Sequence, residues 1–298
     1  MHREAKGQAF VLLFFTFFIW GSVYVAGKFI ADDMPPALIA CLRCCTALLP
    51  LLLMSRAHAG VKIDPADWKY FAIVGFLGYF LTIFLIQLGI SLTGAAMASL
   101  INALTPVAVT ILAALLLNEA ITVVKVICLV LALAGAAVIT WGAESQSETL
   151  GILVVLGAVV SWSFASVCMR KLTAKYPPIL VTTYGVAFSL ICHIPVGLWS
   201  AATQQVHISF KVVFVILFLG IFGSGLSQFT WTKCLSLLPA STCSLFYPLQ
   251  PVFAALLGAW LLGEQFNPAF FIGLFLISLD VVLSTWETKR QRIPCEKR

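Results

Sequence analysis

Long apolar stretches alternate with short segments rich in charge, proline and glycine along the whole chain. Each stretch holds roughly 20 residues, which at about 1.5 Å of helical rise per residue is enough to cross a hydrocarbon core of about 30 Å. The pattern predicts an all-α fold class, a polytopic membrane protein with ten transmembrane helices. The predicted helices are residues 8–30, 35–54, 69–91, 94–117, 121–142, 150–170, 178–201, 211–233, 239–262 and 267–286.

The composition excludes a water-soluble protein with a single core. Of the 298 residues, 61% are hydrophobic and 10% are charged, and the mean hydropathy of +1.03 is far above that of a globular domain. The net charge of +6 does not indicate a nucleic-acid partner, because the basic residues lie between apolar stretches and at the C-terminus. Most of the nine cysteines lie within apolar stretches, so neither a disulfide framework nor a metal site is predicted.

The basic residues also predict how the helices cross the membrane. With the N-terminus in the cytoplasm, the cytoplasmic connections carry nearly all of the Lys and Arg, and Lys28 and Lys211 fall on the other side. Such a bias sets orientation under the positive-inside rule, so both termini are expected in the cytoplasm, with a basic tail at 289–298. No small-residue cleavage site follows the first stretch, which therefore indicates a retained helix.

An internal repeat relates the two halves of the chain. The offset between matching positions is 142 residues in the early helices and 145 after a three-residue insertion. The matching pairs include Trp20 and Trp162, Pro106 and Pro251, and Glu119 and Glu264. An odd number of helices in each repeat forces the second copy to insert upside down, an arrangement common among secondary transporters. We predict a first five-helix repeat at 1–143 and an inverted second repeat at 149–288.

Four segments carry a resemblance to a known family. They are FFIWGSVYVAGKFIADDMPPALIACLRCC, ALTPVAVTILAALLLNEAIT, VVSWSFASVCMRKL and YPLQPVFAALLGAWLLGEQFN. The sequence resembles the EamA family of the drug/metabolite transporter superfamily over nearly its whole length. The resemblance implies ten helices in two repeats, the bacterial inner (plasma) membrane, and alternating-access export of small metabolites, often amino acids or their analogues. Asp280 departs from the family pattern, in which the last helix is apolar.

Two polar stripes form the predicted core of a substrate site. Ser99, Asn102 and Thr105 share one face of the fourth predicted helix. The matching positions of the ninth helix hold Ser244, Tyr247 and Gln250. Each stripe is followed by a proline, which frees backbone carbonyls that can bind a ligand or a water. A helix interface held by small polar groups is the alternative, and we favour a cavity because the pattern occurs in both halves.

Further candidates for substrate contact come from the first, third, sixth and eighth predicted helices. They are Trp20, Tyr79, Gln87, Trp162, Gln228 and Trp231. Aromatic and amide groups can hold a zwitterion or a planar ring, whereas a tryptophan can also serve as a packing or interface residue. The predicted cavity has few fixed charges, which favours a neutral or zwitterionic substrate over a phosphorylated one.

Two intramembrane groups can titrate and are candidates for energy coupling. His193 lies in the seventh predicted helix and Asp280 in the tenth, and neither has a counterpart in the other half. Since a buried histidine is often a structural residue, proton coupling and facilitated diffusion both stay open. No Walker A sequence is present, so neither ATP hydrolysis nor a bound cofactor is expected.

The remaining charged residues of the helices have several interpretations. Arg43 lies inside the second helix and is a further coupling or gating candidate, for which pairing with another protein group is favoured over substrate contact. Lys28 is expected to anchor a helix end, with a gating role as the alternative. Glu119 and Glu264 end equivalent helices, where a negative charge is unfavourable for the helix dipole. We expect these carboxylates to cap the next helix or to pair with a basic residue.

Other functions fit the sequence less well. An intramembrane enzyme would need a nucleophile or a metal set, and HExxH and GxSxG motifs are missing. A channel would need rings of charge or carbonyl-rich filter loops. Within transporters, a multidrug or cationic-compound exporter and a metabolite importer are the alternatives. The expected partners are a small-molecule substrate, the lipid bilayer and, if transport is coupled, protons, in a monomer or a homodimer.

Overall fold

The computed structural model describes residues 2–58, 60–117, 146–238 and 249–276, together with single positions between and after these ranges. The described ranges are helical and contain no β-strand. Six of the described helices are long and apolar enough to cross a membrane, and two apolar helices are shorter. A polytopic, all-helical membrane protein is therefore confirmed. The count of ten stays a prediction, because most of 121–142 and part of 267–286 lie outside the described residues.

The described helices follow the predicted order. They are α1 (His2–Phe29), α2 (Pro36–Ser55), α3 (Pro65–Thr93), α4 (Ala95–Asn102), α5 (Thr105–Leu117), α6 (Gln146–Thr173), α7 (Pro178–Thr203), α8 (Phe210–Leu237), α9 (Leu249–Leu262) and α10 (268–276). Proline opens α2 and α7, where its missing N–H costs nothing. The Ser209 side chain accepts from the Val212 N–H and caps α8.

Helices α3 and α8 each contain a π-helical segment, a rare element that is frequent at functional sites. The segments are Val74–Leu81 and Leu219–Leu226, which lie 145 residues apart, the same offset as the later part of the repeat. Each has a glycine near its start where another helix approaches closely. A Cβ atom on Gly75 would lie 3.0 Å from the Gly185 carbonyl oxygen of α7, and one on Gly220 would lie 2.8 Å from the Arg43 carbonyl oxygen of α2.

The fourth crossing consists of two helices, α4 and α5, rather than the single helix predicted. Pro106 has no N–H to donate to the carbonyl of Asn102, four residues earlier. The Thr105 hydroxyl donates to that carbonyl instead, at 2.6 Å. At the equivalent Pro251, the Tyr247 carbonyl accepts a backbone N–H from three residues later, at 3.0 Å. Both carbonyls therefore already accept one hydrogen bond within the protein.

The two halves pack together through one pair of matching helices and two equivalent crossed pairs. Helix α2 packs along its counterpart α7, α1 packs against α9, and α6 packs against α4 and α5. The largest hydrophobic cluster takes side chains from both halves, including Phe17, Trp20, Trp162 and Trp231. The interface between the halves is consequently buried and aromatic, and this is where polar residues of the predicted stripes come into contact.

Candidate functional site

A cavity lies between the two halves, among α1, α2, α3, α4, α6, α8 and α9. The volume of the cavity is about 50 Å³, which is enough for a few water molecules. Its lining residues are Trp20, Val23, Tyr24, Arg43, Gly78, Thr82, Ile83, Ile86, Asn102, Trp162, Gln228 and Gln250.

Six of the residues singled out from the sequence line this cavity. They are Trp20, Arg43, Asn102, Trp162, Gln228 and Gln250. The two matching tryptophans meet edge to face, with ring centroids 6.0 Å apart. The Trp20 indole N–H donates to the Ser227 hydroxyl and the Trp162 indole N–H donates to the Tyr247 hydroxyl, each at 2.9 Å. These bonds fix the orientation of both rings at the junction of the halves.

Other predicted site residues are buried near the cavity but do not line it. They are Tyr79, Gln87, Ser99, Thr105, Trp231 and Tyr247. The Ser99 hydroxyl donates to the Ala96 carbonyl at 2.8 Å, and the Gln87 amide donates to the Gly27 carbonyl at 3.3 Å. These two hydrogen bonds stabilise helices and their contacts. Ser244 lies outside the described residues.

Two cavity residues of α1 were not predicted from the sequence. Val23 and Tyr24 follow Trp20 by three and four residues, the spacing that places side chains on the same helical face. Their positions three and four residues after Trp20, a predicted site residue, were thus the signal that could have found them. Thr82 and the apolar Ile83 belong to α3 and directly follow the π-helical segment, which ends at Leu81.

Arg43 places a positive charge in the wall of the cavity. Its side chain is buried, and its Nε–H donates to the Ser224 hydroxyl at 2.7 Å. Among the described residues, no Asp or Glu lies within 4.0 Å of its guanidinium. The pairing expected for Arg43 is therefore a hydrogen bond to a serine in the described part of the chain. The cavity also carries more fixed charge than the sequence indicated.

Three amide side chains supply further polar atoms of the cavity. The Asn102 amide N–H donates to the Gln250 side-chain oxygen at 3.5 Å, the limit of a hydrogen bond. The side-chain oxygens of Asn102 and Gln228 are buried and have no hydrogen-bond partner among the described residues. Because an unpaired buried acceptor is unfavourable, these two oxygens are available to a ligand or to water.

His193 and Lys28, two of the coupling or gating candidates, do not line the cavity. His193 is buried in α7, with Nε2 placed 3.1 Å from the Tyr79 carbonyl oxygen. Because a carbonyl oxygen can only accept a hydrogen bond, Nε2 is the ring nitrogen that carries the proton. Lys28 is half-buried in the last turn of α1, and Asp280 lies outside the described residues. The role of each in coupling or gating stays a prediction.

Glu264 caps a helix of the opposite half. Its carboxylate oxygens accept from the Ala95 N–H at 2.7 Å and the Ala96 N–H at 3.2 Å, at the start of α4. Gly94 precedes α4 with φ of 91°, a conformation that favours glycine. Capping was expected on the next helix, and the structure shows it on α4 instead. The carboxylate therefore joins the end of α9 to the α3–α4 connection.

Two ion pairs join the halves at opposite ends of the helices. Asp33, after α1, pairs with Lys211 of α8, and Lys175, after α6, pairs with Asp67 of α3 at 2.9 Å. Asp33 and Lys175 occupy matching positions of the repeat, so the charges are reversed between the two ends. The hydrogen bond to Asp67 raises the pKa of the Lys175 ammonium. This pair consequently stays charged at neutral pH.

Comparison with known proteins identifies the family. The sequence profile of the EamA-like transporter family matches residues 8–141 and again residues 149–286. The chain belongs to this family. The EamA-like transporter is therefore a multi-pass membrane protein that carries a small-molecule substrate in a lipid bilayer, and it is not an enzyme.

Relatives and a solved structure resemble the EamA-like transporter over nearly the whole chain. The uncharacterized transporter YvbV of Bacillus subtilis is 26% identical over 297 residues, which cover 98% of this chain and 96% of YvbV. An uncharacterized transporter of Archaeoglobus fulgidus is 26% identical over 276 residues, covering 93% and 98% of the two chains. A protein of known crystal structure, 22% identical, has the same fold with a TM-score of 0.66, covering 93% of this chain and 98% of its own.

Proposed function

We propose that this EamA-like transporter exports a small neutral or zwitterionic metabolite, an amino acid or an analogue, by alternating access. The observation that carries the proposal is the cavity where the halves meet, with Trp20 and Asn102 from one half and Trp162 and Gln250 from the other. Secondary transporters built from inverted repeats bind substrate at this kind of interface. Indole and amide groups among apolar residues suit a small molecule with both polar and apolar parts.

The proposal includes an arrangement of the chain in the membrane. The repeats at 1–143 and 149–288 have opposite orientations, and both termini lie in the cytoplasm of a bacterium, at its inner membrane. The two π-helical segments are related by the repeat offset, and so are Asp33 and Lys175, one member of each ion pair, which supports this arrangement. Each chain has its own cavity, so a monomer or a homodimer can carry out transport.

Uptake into proteoliposomes tests the proposal. The panel is a set of labelled amino acids, nucleobases and cationic dyes, offered with and without an imposed proton gradient. We expect one neutral or zwitterionic class to enter while the dyes stay outside. Uptake of cations alone would instead establish the multidrug alternative. Dependence on the gradient would identify proton coupling, for which His193 and Asp280 are the residues to change.

Variants connect the flux to the cavity. Asn102→Ala and Gln250→Ala remove amides from the cavity wall and should each strongly reduce uptake. Trp260→Ala is the matched control, because this side chain of α9 is 79% exposed on the outer surface and contacts no part of the cavity. Equal uptake by all three variants, at equal amounts of inserted protein, would show that the substrate binds elsewhere.

A further inference from the structure

We propose that Arg43 binds a carboxylate group of the transported molecule, so that the cavity selects small carboxylates. This inference rests on the proposed function and narrows its substrate class. Two kinds of molecule can supply this carboxylate group: the anion of a simple organic acid and the zwitterion of an amino acid. Cations without an acid group are excluded, because they would meet the Arg43 charge with no carboxylate among the described cavity residues to balance it.

The guanidinium is held in place, and most of its donors have no hydrogen-bond partner among the described residues. Arg43 is 4% exposed, and its Nε–H is the donor bonded to Ser224. A Cβ atom on Gly223 would lie 3.2 Å from Nη2, so this glycine leaves room for the guanidinium. Arginine carries five N–H donors in a planar fork that matches a carboxylate. A fixed, buried guanidinium that lines a cavity is thus a preformed carboxylate site.

The repeat shows that packing alone does not require a charge here. Arg43 matches Gly185 at an offset of 142, and Ser224 matches Tyr79 at an offset of 145. In the other half the same helix contact is made by a tyrosine ring against a glycine, since a Cβ on Gly185 would lie 2.5 Å from the Tyr79 ring. One half therefore fills this space with a neutral ring, and the other with a cation. Since a neutral side chain suffices for packing, the charge serves another purpose.

The unpaired oxygens of the cavity complete the site. Asn102 is 5% exposed and Gln228 is 6% exposed, and the side-chain oxygen of each has no hydrogen-bond partner among the described residues. They can accept from the ammonium group of an amino acid or from a hydroxyl. Trp20 and Ile83 provide apolar surface for the rest of the ligand. An acid anion uses Arg43 alone, whereas a zwitterion uses both sets of groups.

Binding measurements with matched molecules test the proposal on the purified full chain. The probes are leucine, 4-methylpentanoate and 3-methylbutylamine, and a second set of phenylalanine, 3-phenylpropanoate and 2-phenylethylamine. Dissociation constants come from the concentration dependence of thermal stabilisation. We expect carboxylate-bearing probes of at least one set to stabilise the protein and the two amines to have no effect. Stabilisation by an amine, or by none of the carboxylates, would overturn the proposal.

Substitutions assign the effect to Arg43. Arg43→Gln should weaken carboxylate binding about 10- to 100-fold, the range for a charge-assisted hydrogen bond. Arg43→Lys retains the positive charge but not the planar set of guanidinium donors, and it should weaken carboxylate binding less than Arg43→Gln does. This second variant keeps the test valid if Arg43→Gln does not fold. Arg56→Gln is the matched control, because it removes an exposed arginine outside the cavity. Unchanged binding by Arg43→Gln would contradict the assignment.

The results separate this inference from the proposed function. Arg43-dependent binding of the acids without the amino acids would support the carboxylate site and contradict amino-acid export. Amino-acid uptake that is unaffected by Arg43→Gln would support amino-acid export and contradict the carboxylate site. Asp280 requires its own test. If it neutralised Arg43, Asp280→Asn would destabilise the protein and the double variant with Arg43→Gln would recover the melting temperature, which would overturn the proposal.

Discussion

The contact between Glu264 and the start of α4 allows a quantitative test of how the two halves are joined. The short bond to the Ala95 N–H, 2.7 Å, is charge-assisted, and the bond to the Ala96 N–H is longer, 3.2 Å. Because the carboxylate is half-exposed, we take the lower end of the usual values for charged and capping hydrogen bonds. Glu264→Ala should then cost about 2 kcal/mol. Glu264→Gln keeps one acceptor and should cost about 1 kcal/mol.

Thermal unfolding of the purified variants in one detergent measures this cost. At about 2–4 °C per kcal/mol for large domains, the melting temperature should fall by roughly 4–8 °C for Glu264→Ala and 2–4 °C for Glu264→Gln. Asp32→Asn is the control, since it removes an exposed carboxylate from the α1–α2 connection. If both Glu264 variants had the same melting temperature as the wild type, the carboxylate would not be capping α4 and the reasoning would be refuted.

Three further contacts give predictions for the same unfolding assay. Gly220→Ala places a methyl group 2.8 Å from a backbone oxygen and should cost about 1–3 kcal/mol, whereas Gly60→Ala meets nothing within 4 Å and should have no effect. Thr105→Val leaves a buried carbonyl without its hydroxyl donor and should cost about 1–3 kcal/mol, while Thr105→Ser should retain most of the stability. Lys175→Met removes a partly exposed ion pair and should lower the melting temperature only slightly. Since the folded-state pKa of Lys175 is raised, its contribution is present below a pH of about 10.4 and lost as the pH rises above it, so the cost should be constant between about pH 6 and pH 8.

The order and approximate bounds of most described helices were predictable because hydropathy acts locally. A stretch of about 20 apolar residues must become a helix in a bilayer, where each backbone group needs an internal hydrogen bond. The matching tryptophans, Trp20 and Trp162, were predictable for the same reason as the repeat itself, since equal positions in two related sequences occupy equal positions in space. Their contact at the centre follows from the pairing of the halves.

Details that depend on distant partners were not predictable. The π-helical segments depend on how Gly75 and Gly220 approach helices of the opposite half. The break between α4 and α5 depends on a side-chain donor replacing the missing N–H of Pro106, although the proline itself was a visible warning. Glu264 was recognised as a candidate cap, but which helix it caps depends on a contact 169 residues away in sequence.

The difference between matching positions tells more about the cavity than their similarity does. Similar pairs such as Trp20 and Trp162 maintain the common framework, and they would be retained in a repeat protein whatever it transported. Arg43 and Gly185 occupy the same place in that framework and differ in charge, so the pseudo-symmetric cavity has one charged wall. A ligand with one acidic end binds such a cavity in one orientation, because only one of the two matching positions offers a cation. Arg43→Gln should therefore weaken orientation and affinity together, whereas loss of Asn102 or Gln228 should affect ligands that also carry a donor.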